Sequence, residues 1–172
     1  MKITITKPGN YTVSDGEEVE VVGTGEGVVI TITGGDVWTL GTSAPVITMT
    51  GGLVRTWESS APVIHQIGGE VRTRESSSPV INMTGGEVWT FGSSAPVIHQ
   101  SGGEVWTFGS SAPVITMTGG EVSTFDTSAP VIHQSGGDVW TLEKSAPVIH
   151  KKKLNTKPGD RRKEPCETFH SH

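Results

Sequence analysis

A Gly-Gly pair returns every 17 residues, beginning at Gly34, Gly51, Gly68, Gly85, Gly102, Gly119 and Gly136, with no insertion between Gly34 and His150. A spacing held this strictly marks a tandem-repeat architecture, in which each unit packs mainly on its neighbours. The unit reads GGEVWTFGSSAPVIHQS, and residues 85–98 and 102–115 are identical at all 14 positions. A weaker echo runs backward, since Val29-Ile30-Thr31-Ile32-Thr33 lies one period before Val46-Ile47-Thr48-Met49-Thr50.

Composition decides what each unit is made of. Val, Ile and Thr supply 54 residues, against 10 of Leu and Ala. β-Branched side chains lose χ1 freedom in a helix and fit a pleated surface, so an all-β fold is expected. Within a unit, Glu87-Val88-Trp89-Thr90-Phe91 and Val97-Ile98-His99-Gln100-Ser101 read as short strands. Gly92-Ser93-Ser94-Ala95-Pro96 between them reads as one corner, its proline lacking a ladder donor. The Gly-Gly pair reads as the other corner, where a positive φ is needed.

Two arrangements satisfy this pattern: a single-stranded parallel β-solenoid with 17-residue coils, or an antiparallel β-meander turning at Gly-Gly. Parallel stacking sets each side chain above its twin and so produces columns of one residue type. Val37, Val54, Val71, Val88, Val105, Val122 and Val139 form such a column, and Thr39 to Thr141, Ser43 to Ser145 and Pro45 to Pro147 form others. The solenoid is therefore the expected fold. Residues 1–33 break the 17-residue rule and are expected to be an N-terminal cap with a degenerate first coil. Residues 34–150 then make seven coils, and residues 151–172 form a basic tail.

Alternation assigns the faces. The Val37 and Thr39 columns read as interior. The column between them holds Trp38, Arg55, Arg72, Trp89, Trp106, Ser123 and Trp140. The next outward column holds Leu40, Trp57, Arg74, Phe91, Phe108, Phe125 and Leu142. Positions that accept Trp, Arg and Ser do not fit a narrow core. An outward aromatic stripe is thus expected, with Trp38, Trp57, Trp89, Trp106, Trp140, Phe91, Phe108 and Phe125 as interface residues. Asp36, Glu70, Glu87, Glu104, Glu121 and Asp138 border it as an acidic column whose members repel, so a partner bringing Lys or Arg gains from them. In the second strand, Ile47 and the Met/Gln column from Met49 to Gln134 read as interior, the Gln bonding along its own column. Val46 and its equivalents do not vary either, which leaves that strand's facing open.

Near-identical coils present rows of like groups, whereas catalysis needs unlike groups converging on one point. No catalytic residue, cofactor or metal site is expected. His65, His99 and His133 recur on alternate coils, about 9.6 Å apart, too far to share one metal. Only His133 and His150 fall on adjacent coils, and Cys166, His170 and His172 match no metal signature. The body of the chain (1–150) carries 6 basic and 15 acidic side chains, the tail 7 and 3. The tail offers only Phe169 for base stacking, so nucleic acid is not an expected partner. No apolar stretch approaches the ~20 residues of a membrane span, and the N-terminus has no apolar secretory core. The single cysteine fits a reducing or redox-indifferent setting.

In repeat style, residues 18–150 resemble the short-period β-helical repeats of bacteriophage virion proteins such as tail fibres, spikes and capsid decorations. The resemblance implies a structural protein of the virion, or a cytoplasmic one, that self-associates or docks on a capsid or tail. Two binding roles compete with it. Thr31-x-Thr33, Thr48-x-Thr50 and Thr116-x-Thr118 resemble the Thr-x-Thr rows of ice-binding solenoids, although His65-Gln66-Ile67, His99-Gln100-Ser101 and His133-Gln134-Ser135 interrupt them. An unbroken ice face would require Val37 and Thr39 to point outward. The rings also suit a carbohydrate-binding module.

Overall fold

A computed structural model describes residues 2–152. The basic tail beyond Lys152, with Cys166, His170 and His172, lies outside the described residues. Among those described, eighteen short strands form two nine-stranded sheets in which every pair is parallel. Sheet A holds β1 (Lys2–Ile5), β3 (Glu18–Val21), β5 (Asp36–Thr39), β7 (Leu53–Thr56), β9 (Glu70–Thr73), β11 (Glu87–Thr90), β13 (Glu104–Thr107), β15 (Glu121–Thr124) and β17 (Asp138–Thr141). Sheet B holds β2 (Gly9–Val13), β4 (Val28–Ile32), β6 (Val46–Met49), β8 (Val63–Gln66), β10 (Val80–Met83), β12 (Val97–Gln100), β14 (Val114–Met117), β16 (Val131–Gln134) and β18 (Val148–Lys151). Each odd strand and the even strand after it make one coil, giving nine coils of a β-solenoid. The antiparallel alternative is excluded.

Register explains the columns. Glu87 pairs with Glu104, Val88 with Val105 and Trp89 with Trp106, a shift of one unit. The first coils obey the same stacking with uneven offsets: Lys2 pairs with Glu18, Gly9 with Val28 and Glu18 with Asp36. Residues 2–32 therefore wind as two complete coils, their departures from 17 residues absorbed in the corners. Backbone bonding continues through the corners as well. The Ala61 amide donates to the Ser43 carbonyl at 3.0 Å, and the Val63 amide to Pro45 at 3.0 Å.

The core is a narrow shaft, lined in each full repeat by the inward Val, Thr, Ser, Pro, Ile and Met or Gln. Val37, Val88, Ile47, Ile98 and Met49 are wholly buried. Each buried aliphatic side chain contributes about 1.5–3 kcal/mol. From Thr39 onward the buried Thr and Ser hydroxyls are matched to one another, while Ser43, at the start of the ladder, has no partner. Thr56 donates to Ser77 at 3.0 Å, Thr73 to Ser94 at 3.0 Å and Thr107 to Ser128 at 3.0 Å, always one coil onward. This ladder satisfies polar groups that would otherwise cost about 1–3 kcal/mol each.

The second glycine of each pair has positive φ, from 72° at Gly35 to 83° at Gly86. A side chain there would also collide: a Cβ on Gly103 would run into the Gly86 carbonyl oxygen. The Met/Gln residues reach toward these corners. The Gln expectation needs correction. Gln100 does not bond along its column, where its neighbours are Met83 and Met117; its amide donates to Gly103 O at 2.8 Å and Glu121 O at 3.0 Å.

Candidate protein-docking face

The tryptophans and Phe91, Phe108 and Phe125 sit on the outer side of sheet A, on its strands or one residue beyond them, opposite the buried Val and Thr. Side chains on adjacent coils are one strand spacing apart, about 4.8 Å, which is close to the separation of stacked rings. The rings use it. Trp89 stacks on Trp106 with centroids 5.3 Å apart, Phe91 on Phe108 at 5.2 Å and Phe108 on Phe125 at 4.9 Å. Trp89 also reaches Phe108, and Trp106 reaches Phe125, both at 5.6 Å, so the two columns form one sheet of rings. Mutual contact leaves them half-buried, while Trp140 on the last described coil is 58% exposed. Ser123, in the same column, is too short to rise above its neighbours and is buried.

The N-terminal part of the stripe is built differently. Trp38 and Trp57 stack at 6.2 Å. The Arg55 guanidinium lies over Trp38 at 4.6 Å, and Arg74 lies 5.0 Å from Trp57 and 5.3 Å from Phe91. These arginines replace rings in the columns and keep the stack continuous through cation–π contact. The indole N–H groups of Trp38 and Trp57 are covered and have no acceptor, so ring stacking and the arginine contacts hold this end without an indole hydrogen bond.

The bordering acids divide in the same way. Arg55 pairs with Asp36 at 2.8 Å and Arg72 with Glu70 at 2.5 Å. The Glu70 hydrogen bond is the largest cause pushing the Arg72 guanidinium above its usual value. Leu53 interrupts the acidic column between Asp36 and Glu70. Glu87 accepts the Trp89 N–H at 3.1 Å, but Glu87, Glu104, Glu121 and Asp138 have no cation bridged to them among the described residues. The face is therefore largely self-neutralised over coils 3–5 and acidic over coils 6–9.

The outer face of sheet B carries other columns. Val46, Val97 and Val114 point outward and are 40%, 37% and 40% exposed, despite never varying. His65, Asn82, His99 and Thr116 line a shallow groove of about 480 Å3. His133 and His150 are exposed and stack at 5.0 Å. Among the described residues no three or more His, Cys, Asp or Glu gather as a metal site. Val37 and Thr39 are wholly buried, so the unbroken ice-matching face that they would have formed lies inside the shaft.

Fold and face together define a tandem-repeat parallel β-solenoid with an aromatic-lined outer sheet. Comparison goes no further than that class: no family model matches the chain, and neither a search of curated proteins nor one of solved structures returned a match. Among the described residues, no helix is long and apolar enough to cross a membrane.

Proposed function

We propose that this chain is a non-catalytic structural and assembly element, a solenoid that docks onto protein through the aromatic stripe of sheet A. The observation carrying this reading is the continuous ring sheet of Trp89, Trp106, Phe91, Phe108 and Phe125 on an outer face. Aromatic residues and Arg are the types enriched where proteins meet, and contiguous apolar patches mark such places. The acids flanking the rings supply a polar rim. The repeat style, by its resemblance to virion fibres, spikes and decorations, favours a capsid or tail as the setting, with a homo-oligomer as the simplest assembly.

Carbohydrate stacking has less support. A sugar needs a ring face open to solvent, whereas these rings cover one another, with interplanar angles of 7° to 16°. The ring edges are what an incoming partner meets.

The test is the paired substitution Trp89→Ser and Trp106→Ser, which copies the residue already present at Ser123. Sedimentation velocity should show weaker association while circular dichroism retains the β signal. Undiminished association would remove the stripe from the interface, and an unfolded product would show that the rings serve the fold instead.

A further inference from the structure

We infer that copies of this chain stack end to end, the first coil of one copy continuing both sheets from the ninth coil of another. Among the described residues both ends of the solenoid are open: β1 and β17 are the outermost strands of sheet A, and β2 and β18 those of sheet B. Such an edge is a row of backbone donors and acceptors ready to receive a further strand. The two rows are in phase. In every coil, amides such as those of Leu142 and Val148 donate back to the coil before, here to the Thr124 and Pro130 carbonyls. By the same rule the Thr141 and Pro147 carbonyls point toward a following coil. Thr6 and Asn10 hold the corresponding amides in coil 1, one residue past Ile5 and in register with Val29.

Charge selects the partner. Lys2 is in register with Glu18, Glu18 with Asp36, and Glu121 with Asp138, so Lys2 begins the column that is otherwise mostly acidic. A first coil laid on coil 9 sets Lys2 beside Asp138 at the strand spacing of about 4.8 Å, where the column within one chain stacks acid on acid. Lys2 touches Glu20 at 3.4 Å yet its side chain is 53% exposed, so its ammonium keeps donors for Asp138. At the next corner Lys7, two residues past Ile5, comes beside Glu143, two past Thr141. At the other corner Lys151 and Lys152 come to Val13 and Ser14, next to Asp15 and Glu17. Opposite charges thus meet on three sides of the junction. The shaft also runs on through it: Ile149 meets Tyr11, and Val139 meets Ile3. Ile149 and Ile3 are exposed in the single chain and gain cover. Like ends brought together would run their strands antiparallel and lose this register. Because the contact joins two different surfaces it does not close, and the product is a filament. Its nine-coil repeat is about 43 Å along the axis.

Sedimentation velocity and electron microscopy of the full chain, from micromolar to near-millimolar concentration, test the stacking. Wild-type protein should lengthen steadily with concentration into filaments one solenoid wide. One variant carries Lys2→Glu and Lys7→Glu; a second carries Asp138→Lys and Glu143→Lys. Each alone should need at least about tenfold more protein to reach the same mean length, because like charges then meet at the junction. An equimolar mixture should restore growth, since the two reversed ends fit each other and so do the two unchanged ends. Recovery in the mixture also shows that both variants are folded. Filaments should persist with Trp89→Ser and Trp106→Ser, which separates the ends from the stripe. Wild-type protein that stays monomeric, or stops at a dimer, overturns the stacking. Filaments indifferent to both charge reversals overturn this junction. Filaments lost with the Trp substitutions overturn it too and assign the association to the stripe.

Discussion

Thr90 and Ser111 are both wholly buried, and the Thr90 hydroxyl donates to the Ser111 oxygen at 3.1 Å, joining one coil to the next across the shaft. Their separation in sequence is one repeat plus the four residues that lead round a corner. The bond is therefore a stitch between coils, repeated from Thr39–Ser60 to Thr124–Ser145.

Thr90→Val keeps the shape but leaves Ser111 without its donor. Urea denaturation should show a loss of about 1–3 kcal/mol. Adding Ser111→Ala should restore part of it, and the double-mutant cycle should give a coupling above about 0.5 kcal/mol. Strict additivity of the two changes would show that the hydroxyls do not act as a pair.

The two corners respond to substitution in opposite directions. Gly103 has φ 78° and a Cβ there would lie 2.9 Å from the Met83 Cε as well as against the Gly86 carbonyl. Gly103→Ala should lower the unfolding free energy by more than about 1 kcal/mol. At the other corner Glu75 is held at φ 56°, where the equivalent coils use Gly92 and Gly109. A side chain costs about 1–2 kcal/mol in that conformation. Glu75→Gly should therefore be neutral or raise stability by up to about 1 kcal/mol, and a clear loss would mean that the Glu75 side chain itself holds the corner.

Gln100→Met should change stability by less than about 1 kcal/mol. The substitution removes two amide donations to Gly103 and Glu121, but it also removes a buried carbonyl oxygen that has no partner. Met occupies the same inward position at Met83 and Met117. Gln100→Ala leaves the space empty and should cost about 2–3 kcal/mol. Equal losses from the two variants would place the energy in the hydrogen bonds and not in the filling.

Deleting residues 85–101 removes one unit between identical corners. Circular dichroism per residue should remain unchanged, with only a modest fall in stability, because each coil depends mainly on its neighbours. Deleting residues 85–93 alone sets strands of sheet A beneath strands of sheet B and should abolish the cooperative transition.

Much of this was legible in the sequence because the repeat length is also the pairing register. Gly-Gly marked the positive-φ corner, and the variable Trp/Arg/Ser column between Val88 and Thr90 marked the outer face. What left the second strand's facing open was invariance itself. Val46 and Val97 never vary, yet they are about two-fifths exposed, since copying of a unit preserves outward residues as faithfully as inward ones. The Thr–Ser ladder was hidden because its partners lie in different columns on different coils, joined only once the corner angle is known. The division of the stripe into an arginine-braced part and an unpaired acidic part likewise depends on which rotamers Arg55 and Arg72 adopt, which spacing does not encode.

The alternation of Met and Gln along the shaft has a consequence for how the chain winds. Near-copies such as residues 85–98 and 102–115 are interchangeable in register, so a growing solenoid can skip a unit and still find matching contacts. A skip of one unit puts two thioethers or two amides side by side, whereas a skip of two restores the original neighbours. The interior thus records parity: an odd slip changes which side chains meet in the shaft, and an even one does not.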